Sequence, residues 1–213
     1  VLRKHRQKVR QEHGLRMFQP DELRRLLDSV KPELRAMVLL GINCGYGNND
    51  IATLSLSSLD LVGGWIDFPR PKTGIPRRCP LWPETTQALR DVLSRRPEPR
   101  NNAHSGLVFL TRRFRQPYVR LTKNGNPTDH IGACLDVHMN KLGIKRAGLS
   151  FYAMRHTFET VAGETKDQVA VDALMGHVDG TMAGQYRERI SDERLLVVVD
   201  HVRKWLFGTE ETK

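Results

Sequence analysis

The chain has 213 residues and carries 34 Lys and Arg against 24 Asp and Glu, a formal net charge of +10 with a pI near 9.9, a balance that favours a polyanionic partner. Its length supports one sizeable core, with about 70% of the unfolded surface buried, so one domain is the default. No apolar run reaches membrane-spanning length and the N-terminal stretch is charged from the start, so neither a membrane span nor a secretory leader is expected and the protein is read as cytoplasmic. Cys44, Cys79 and Cys134 are odd in number and lack C-x-x-C spacing, which excludes a disulfide framework or structural zinc and makes them candidates for small buried hydrophobes.

In chain order, residues 1–17, with Arg3, Lys4, Arg6, Lys8 and Arg10, read as a basic linker or arm. Pro20 with Asp21 and Glu22 opens a helix whose Leu23, Leu26, Leu27 and Val30 share one face. Pro32 opens a second helix carrying Leu34, Met37, Val38 and Gly41. A short third helix is expected from about Asn49 towards Ser57. Trp65 to Phe68 and Arg77 to Leu81 read as the strands of a β-hairpin around the turn Lys72, Thr73 and Gly74. Pro83 and Glu84 start a helix with Ala88, Leu89, Val92 and Leu93 inward, and Leu107 to Leu110 reads as one more strand.

Residues 112–127 read as a polar, basic loop that DNA would order. There Arg112, Arg113, Arg115 and Arg120 interleave with Phe114 and Tyr118, followed by Lys123, a composition suited to phosphate contacts. Thr128 is expected to cap a helix with a stripe of Ile131, Cys134, Leu135, His138, Met139 and Leu142. His130 and His138 have no carboxylate in ligand register, so no metal is expected. The next helix buries Phe151, Met154, Phe158 and Val161. Ser191 caps a last helix with Leu195, Val198, Val199, Val202 and Leu206 on one side, closed by Gly208. The fold class is mainly α with a small antiparallel β-sheet (α+β), with a body over 18–207 and a tail over 208–213.

Between Ser150 and Arg189, an Arg155-His156 pair, a Gly176-His177 pair and Tyr186 stand at separations that suit a phosphodiester-cleaving site, Tyr186 lying nine residues after His177. A phenolic oxygen that attacks phosphate needs cationic donors around the non-bridging oxygens, because charge builds there as the bond breaks. Arg155 and His177 are the candidate donors.

The run Tyr152, Arg155, His156, Thr157, Phe158 and Thr160, then Met175, Gly176 and His177, then Tyr186, resembles the C-terminal catalytic domain of the tyrosine recombinases, the phage integrase family, whose pattern there is H-x-x-R-H-T-F-A-T, L-G-H and a later Tyr. The resemblance covers roughly residues 18–207. It implies strand cleavage and rejoining on double-stranded DNA through a 3′-phosphotyrosyl intermediate, with neither metal nor nucleotide cofactor. By the same resemblance Tyr186 is the nucleophile, Arg155 the second catalytic arginine and His177 the late histidine, and Tyr152 stands where the family has His. Lys72 is then the hairpin lysine that protonates the departing 5′ oxygen. A C-terminal helix that docks on a neighbouring subunit would give self-association on DNA. The chain itself would be the catalytic half of a longer protein.

The family's G-L-R-x-x-E motif aligns with Gly45 to Asp50, which puts Gly47 where the first catalytic arginine belongs and Asp50 in place of Glu. A missing guanidinium removes up to five fixed donors and a permanent charge from the phosphate. No basic side chain lies between Gly41 and Leu61 to replace it. Two further classes follow: a catalytically impaired DNA-binding relative, and a dinucleotide-binding enzyme in which Met37 to Leu40 form a strand ahead of the Gly-rich turn Gly45, Tyr46 and Gly47.

Overall fold

The computed structural model describes residues 15–121, 124–125, 127–177, 186 and 188–208. Among them are eight α-helices: α1 (Pro20–Ser29), α2 (Pro32–Asn43), α3 (Asn48–Thr53), α4 (Pro83–Ser94), α5 (His130–Lys141), α6 (Ala153–Ala162), α7 (Gln168–Met175) and α8 (Asp192–Phe207). One small sheet orders β1 (Leu59–Asp60), β2 (Trp65–Asp67) and β3 (Arg78–Pro80), all antiparallel, and a second pairs β4 (Val119–Leu121) with β5 (Pro127–Asp129). The chain is therefore mainly α with small antiparallel sheets. No helix among the described residues is long and apolar enough to cross a membrane.

Pro32 at the first turn of α2 costs no hydrogen bond. From Ala36 to Asn43 every residue is buried, because α4, α6 and α8 pack around the helix. A helix surrounded on all sides is apolar all round and loses its amphipathic stripe. That is why Met37 to Leu40 resemble a strand in sequence; they are helical, which removes the strand that a dinucleotide-binding turn requires. At the end of α2, the fully buried Asn43 donates from Nδ2 to Pro80 O at 3.0 Å and accepts Trp82 N–H at 2.9 Å, tying the helix to the exit of β3.

The expected hairpin of β2 and β3 forms, with Ile66 opposite Cys79, and β1 adds a strand that the sequence pattern does not announce. The last helix is as expected, with Ser191 and Gly208 at its ends and Leu195, Val198, Val199, Val202 and Leu206 buried. Its stripe is consumed within the chain against α6, α1, α7 and β3. Three polar clasps reinforce that seat: Trp82 Nε1 donates to Val199 O, Arg203 forks onto Glu84, and Arg78 forks onto Asp192 while lying 4.1 Å from the Trp65 ring centroid.

Several local expectations are corrected. Residues 107–110, read as a strand, form one bridge, Ser55 to Leu107, flanked by Leu56 N–H to Gly106 O at 2.7 Å and Val108 N–H to Leu54 O at 2.9 Å, with Val108, Phe109 and Leu110 buried. Among its described residues the stretch 112–127 is not all loop, since β4 pairs with β5, which begins at Pro127. Lys123 lies outside the described residues. The cap of α5 is Asp129, whose carboxylate accepts from Ile131 N and Gly132 N; the neighbouring Thr128 hydroxyl instead donates to Arg120 O within the hairpin. Cys44 and Cys79 are buried, but Cys134 is exposed, since the inner face of α5 is narrowed to Ile131, Leu135 and Met139.

Replacing Asn43 by Ala leaves Trp82 N–H buried without its partner and Pro80 O with only the weak Cys79 thiol donor. At about 1–3 kcal/mol for each unpaired group, the unfolding free energy should fall by roughly 2–4 kcal/mol in urea denaturation, with the slope unchanged. A loss under about 0.5 kcal/mol would show that this junction does not depend on the Asn43 amide.

Candidate active site

Arg155 projects from α6 beside the core residues Met154 and Phe158, and is itself only 3% exposed. Its Nη1 donates to Gly45 O at 2.7 Å and its Nη2 to Met175 O at 2.7 Å. The guanidinium thus bridges the turn after α2 and the C-terminal end of α7. Both turns depend on glycine in the left-handed region. Gly45 has φ +64 and packs against the Phe158 ring, while Gly176, with φ +63, caps α7. The left-handed cap leaves the last helical carbonyls free to meet cations, and the negative end of the helix dipole favours them there.

His177 follows directly. Its Nε2 lies 3.0 Å from Arg155 Nη2 and its Nδ1 3.1 Å from Asp172 Oδ1. Arg155 can only donate, so the network assigns Nε2 as acceptor and places the ring proton on Nδ1, facing Asp172. Among the described residues Arg155 Nε–H and one Nη1–H have no partner. Burial, and after it the nearby charge of Arg70, press the Arg155 guanidinium below its ordinary range, with Asp50 opposing.

Gly47, where the sequence reading expects the first catalytic arginine, is the N-cap of α3 with φ −94, and its N–H donates to Asp50 Oδ2 at 2.8 Å. The other oxygen of that carboxylate accepts from Arg77 Nη2 at 3.2 Å. A basic group therefore does reach this motif, contrary to the expectation drawn from residues 41–61. It comes from the end of the hairpin, where sequence distance hides it. The Arg77 side chain is fully buried, with its guanidinium carbon 4.3 Å from the Tyr46 ring centroid and Nη1 without a hydrogen-bond partner among the described residues. Arg77 holds Asp50 and does not open to solvent.

Tyr152 is half-exposed, edge-on to the His156 ring at 5.2 Å, and its ring borders the space above Gly47. Lys72 is exposed in the hairpin turn. Between hairpin and α7 lies a cleft of about 720 Å³, with His177 and Asp172 on one wall and Glu188, Arg189 and Ile190, just after Tyr186, on another. Tyr186 is 78% exposed. The structure thus brings Arg155, His177, Tyr152 and the Gly47-Asp50 motif together, while Lys72 stands in the hairpin turn two residues after Arg70 and Tyr186 two residues before Glu188, which lines the cleft. Arg113, Arg115 and Arg120 sit apart, exposed on the segment that leads into and along β4, while their neighbour Arg112 is paired with Glu33.

Three residues of the cluster escape a sequence reading. Asp172 lies one turn before Gly176, and its spacing to His177 is the only signal. Arg77 and Arg70 read as hairpin residues until the fold turns them inward: Arg70 Nη1 donates to Gly176 O at 3.1 Å, beside the carbonyl that holds Arg155.

The family described as "Phage integrase family" has a model that matches residues 16–193. Among solved structures, the integrase from mycobacterium phage Brujita shares the fold with a TM-score of 0.60 at 20% identity, over 86% of this chain and 56% of its own. XerA recombinase gives 0.60 at 20% identity over 88% and 63%, and XerH site-specific recombinase, bound to its palindromic difH substrate, 0.61 at 17% over 87% and 52%. The chain therefore spans under two thirds of the length of each, and at these identities the likeness is one of fold. No curated protein matches the sequence.

A Cβ at Gly176 would sit 2.8 Å from Arg77 Cδ and 3.0 Å from Arg70 Cβ, whereas at Gly143, with φ +69, nothing lies within 4 Å. Gly143→Ala should therefore cost about 1–2 kcal/mol of stability from the backbone alone. Gly176→Ala should cost roughly 2–4 kcal/mol, because overpacking adds to the same strain. Equal losses in chemical denaturation would show that the arginine stems yield freely.

Proposed function

Because the chain belongs to the phage integrase family, we propose that it is the catalytic part of a site-specific recombinase that cleaves and rejoins double-stranded DNA through a 3′-phosphotyrosyl link. The observation that carries this reading is Arg155, a desolvated cation fixed between two glycine turns and hydrogen-bonded to a histidine that a carboxylate orients. Preorganised donors of this kind stabilise charge that develops on phosphate.

The nucleophile must be accessible, and exposure separates the four tyrosines. Tyr46 is fully buried, and burial pushes its phenol well up. Burial and then Glu33 push Tyr118 up to about 12. Tyr152 leans on His156 inside the cluster, whereas Tyr186 is 78% exposed on the segment that rejoins the cleft at Glu188. Tyr186 Oη would attack phosphorus, its phenolic proton passing to the solvent it faces, and the bond to the 5′ oxygen would break. That oxygen would take its proton from Lys72, with Arg155 and His177 at the non-bridging oxygens and Tyr152 beside them. Attack by a 5′ hydroxyl reverses the step, and the ester stores the bond energy that rejoining needs. Arg113, Arg115 and Arg120, with Lys123, would hold the duplex backbone, placing the protein on intracellular DNA. Self-association through α8 would have to use its outer residues Leu196 and Val197, 40% and 64% exposed, because the inner stripe is already consumed.

Gly47 supports a second reading, a DNA-binding relative with little chemistry. On that reading Gly47→Arg should raise the yield of covalent adduct by about 10²-fold or more, the usual worth of such a donor. The extended backbone at Gly47, and a Cβ site whose nearest neighbour is 3.6 Å away, leave room for the side chain.

On a nicked duplex that traps the covalent intermediate, wild type should form an adduct and Tyr186→Phe none, with DNA affinity nearly unchanged, since the hydroxyl serves only in attack. An adduct that maps by mass spectrometry to Tyr152 would overturn the assignment. Arg113→Ala with Arg115→Ala should flatten the dependence of log K on log[salt] by roughly 0.9 for each phosphate that the variant no longer neutralises. An unaltered slope would remove this segment from the interface.

A further inference from the structure

Arg70 has no part in the reading above, yet its guanidinium occupies a singular place. Its backbone is locked in the hairpin: its N–H donates to Ile75 O, and its carbonyl accepts from Thr73 N and Gly74 N. From that base the half-buried side chain crosses to α7 and donates through Nη1 to Gly176 O at 3.1 Å. Arg155 Nη2 donates to the preceding carbonyl, Met175 O. Two guanidinium groups therefore rest on consecutive peptide groups at one helix C-terminus, where carbonyls left without helical donors receive cations. Among the described residues Arg70 faces that carbonyl and no carboxylate, while Arg77 is paired with Asp50 and fully buried.

Such an arrangement is unfavourable unless something answers the charge. After burial, the nearby charge of Arg70 is what presses the Arg155 guanidinium below its ordinary range, with Asp50 opposing, as expected of two like charges held near one another. One carbonyl bond uses one of the five donors on Arg70, leaving a fork for an anion. We propose that Arg70 binds the same phosphate as Arg155, supplying from the β2–β3 hairpin the second guanidinium that is absent at Gly47. Arg155 spans from Met175 O to Gly45 O, two residues before Gly47. Arg70 approaches Arg155 from the α7 side of that span, whereas an arginine at position 47 would approach from the α2–α3 side. The inference rests on the phosphodiester-binding reading of the Arg155 site and adds its missing cation.

The probe is inorganic phosphate, titrated into the 213-residue chain while the arginine Nε–H resonances of Arg70 and Arg155 are followed by ¹⁵N-edited NMR. Both should shift along one binding curve. Arg70→Gln should weaken the Arg155 response about 10- to 100-fold, the worth of one charged hydrogen-bonded partner, and Arg70→Lys should lose less. Adding Gly47→Arg to the Arg70→Gln variant should restore affinity, which a merely structural role for Arg70 would not produce. Equal thermal midpoints of wild type and Arg70→Gln exclude misfolding as the cause. If Arg155 shifts with phosphate and Arg70 does not, or if Arg70→Gln leaves affinity unchanged, the role of Arg70 is overturned while the reading of the Arg155 site stands. If neither resonance responds, both fall.

Discussion

A guanidinium removed from water must have its donors met, and the arrangement of this protein's site follows from how Arg155 meets that demand. Burial of an unpaired cation costs several kcal/mol. Here the donors go to two backbone carbonyls and one imidazole, none of them charged. Neutral acceptors leave the cation's field unspent, so it remains available to an incoming anion. They also require that the turn after α2, helix α6 and the end of α7 stand within hydrogen-bond reach of one side chain. Gly45 and Gly176 allow this because only glycine takes the left-handed conformation at that packing density: Phe158 fills the space beside one, and the stems of Arg70 and Arg77 fill the space beside the other.

The pairing of Asp50 with Arg77 is the counterpart of that economy. Asp50 uses one oxygen to cap α3 at Gly47 and the other to receive Arg77, whose charge is thereby spent. The ring face of Tyr46 offsets part of the desolvation of Arg77. This explains how the Asp50 carboxylate stays buried beside Gly47: each of its oxygens has a donor. It also separates the arginines near the site by availability: Arg77 is committed to a carboxylate, and Arg155 and Arg70 are held by carbonyls. The distinction concerns partners, and spacing along the chain does not reveal it.

The same sorting applies on the surface. Of the basic run 112–120, Arg112 is neutralised by Glu33 and Arg120 is steadied by Gln116, while Arg113 lies over the Phe114 ring and Arg115 takes a left-handed backbone conformation. The β4–β5 pairing presents this run as a folded edge, which lowers the ordering entropy that a loose loop would lose on meeting a phosphate backbone. Helix α8, by contrast, spends its apolar stripe and its charges on its own domain through Arg203 and Arg78. It acts first as a brace for the hairpin that carries Arg70 and Lys72.

Helix periodicity and proline at first turns made α1, α4 and α8 legible, because amphipathic burial writes itself into spacing. The order of Arg155, His177 and Tyr186 was legible because each belongs to a short motif. Where burial is complete spacing says less: inside α2, Met37 to Leu40 look like a strand although Pro32 and the helical spacing around them mark the helix, and Leu107 to Leu110, read as a strand, pairs only briefly with the segment at Ser55. Caps one residue apart, Thr128 or Asp129, depend on which side chain the backbone can reach. The amino-acid sequence by itself determined the helical class and the basic charge, and it supplied the spacing of Arg155, His177 and Tyr186 from which the proposed phosphate chemistry starts. Only the tertiary structure decided which cations are free to use their charge, because pairing Arg77 with Asp50 and resting Arg70 beside Arg155 requires contacts between segments far apart in the chain.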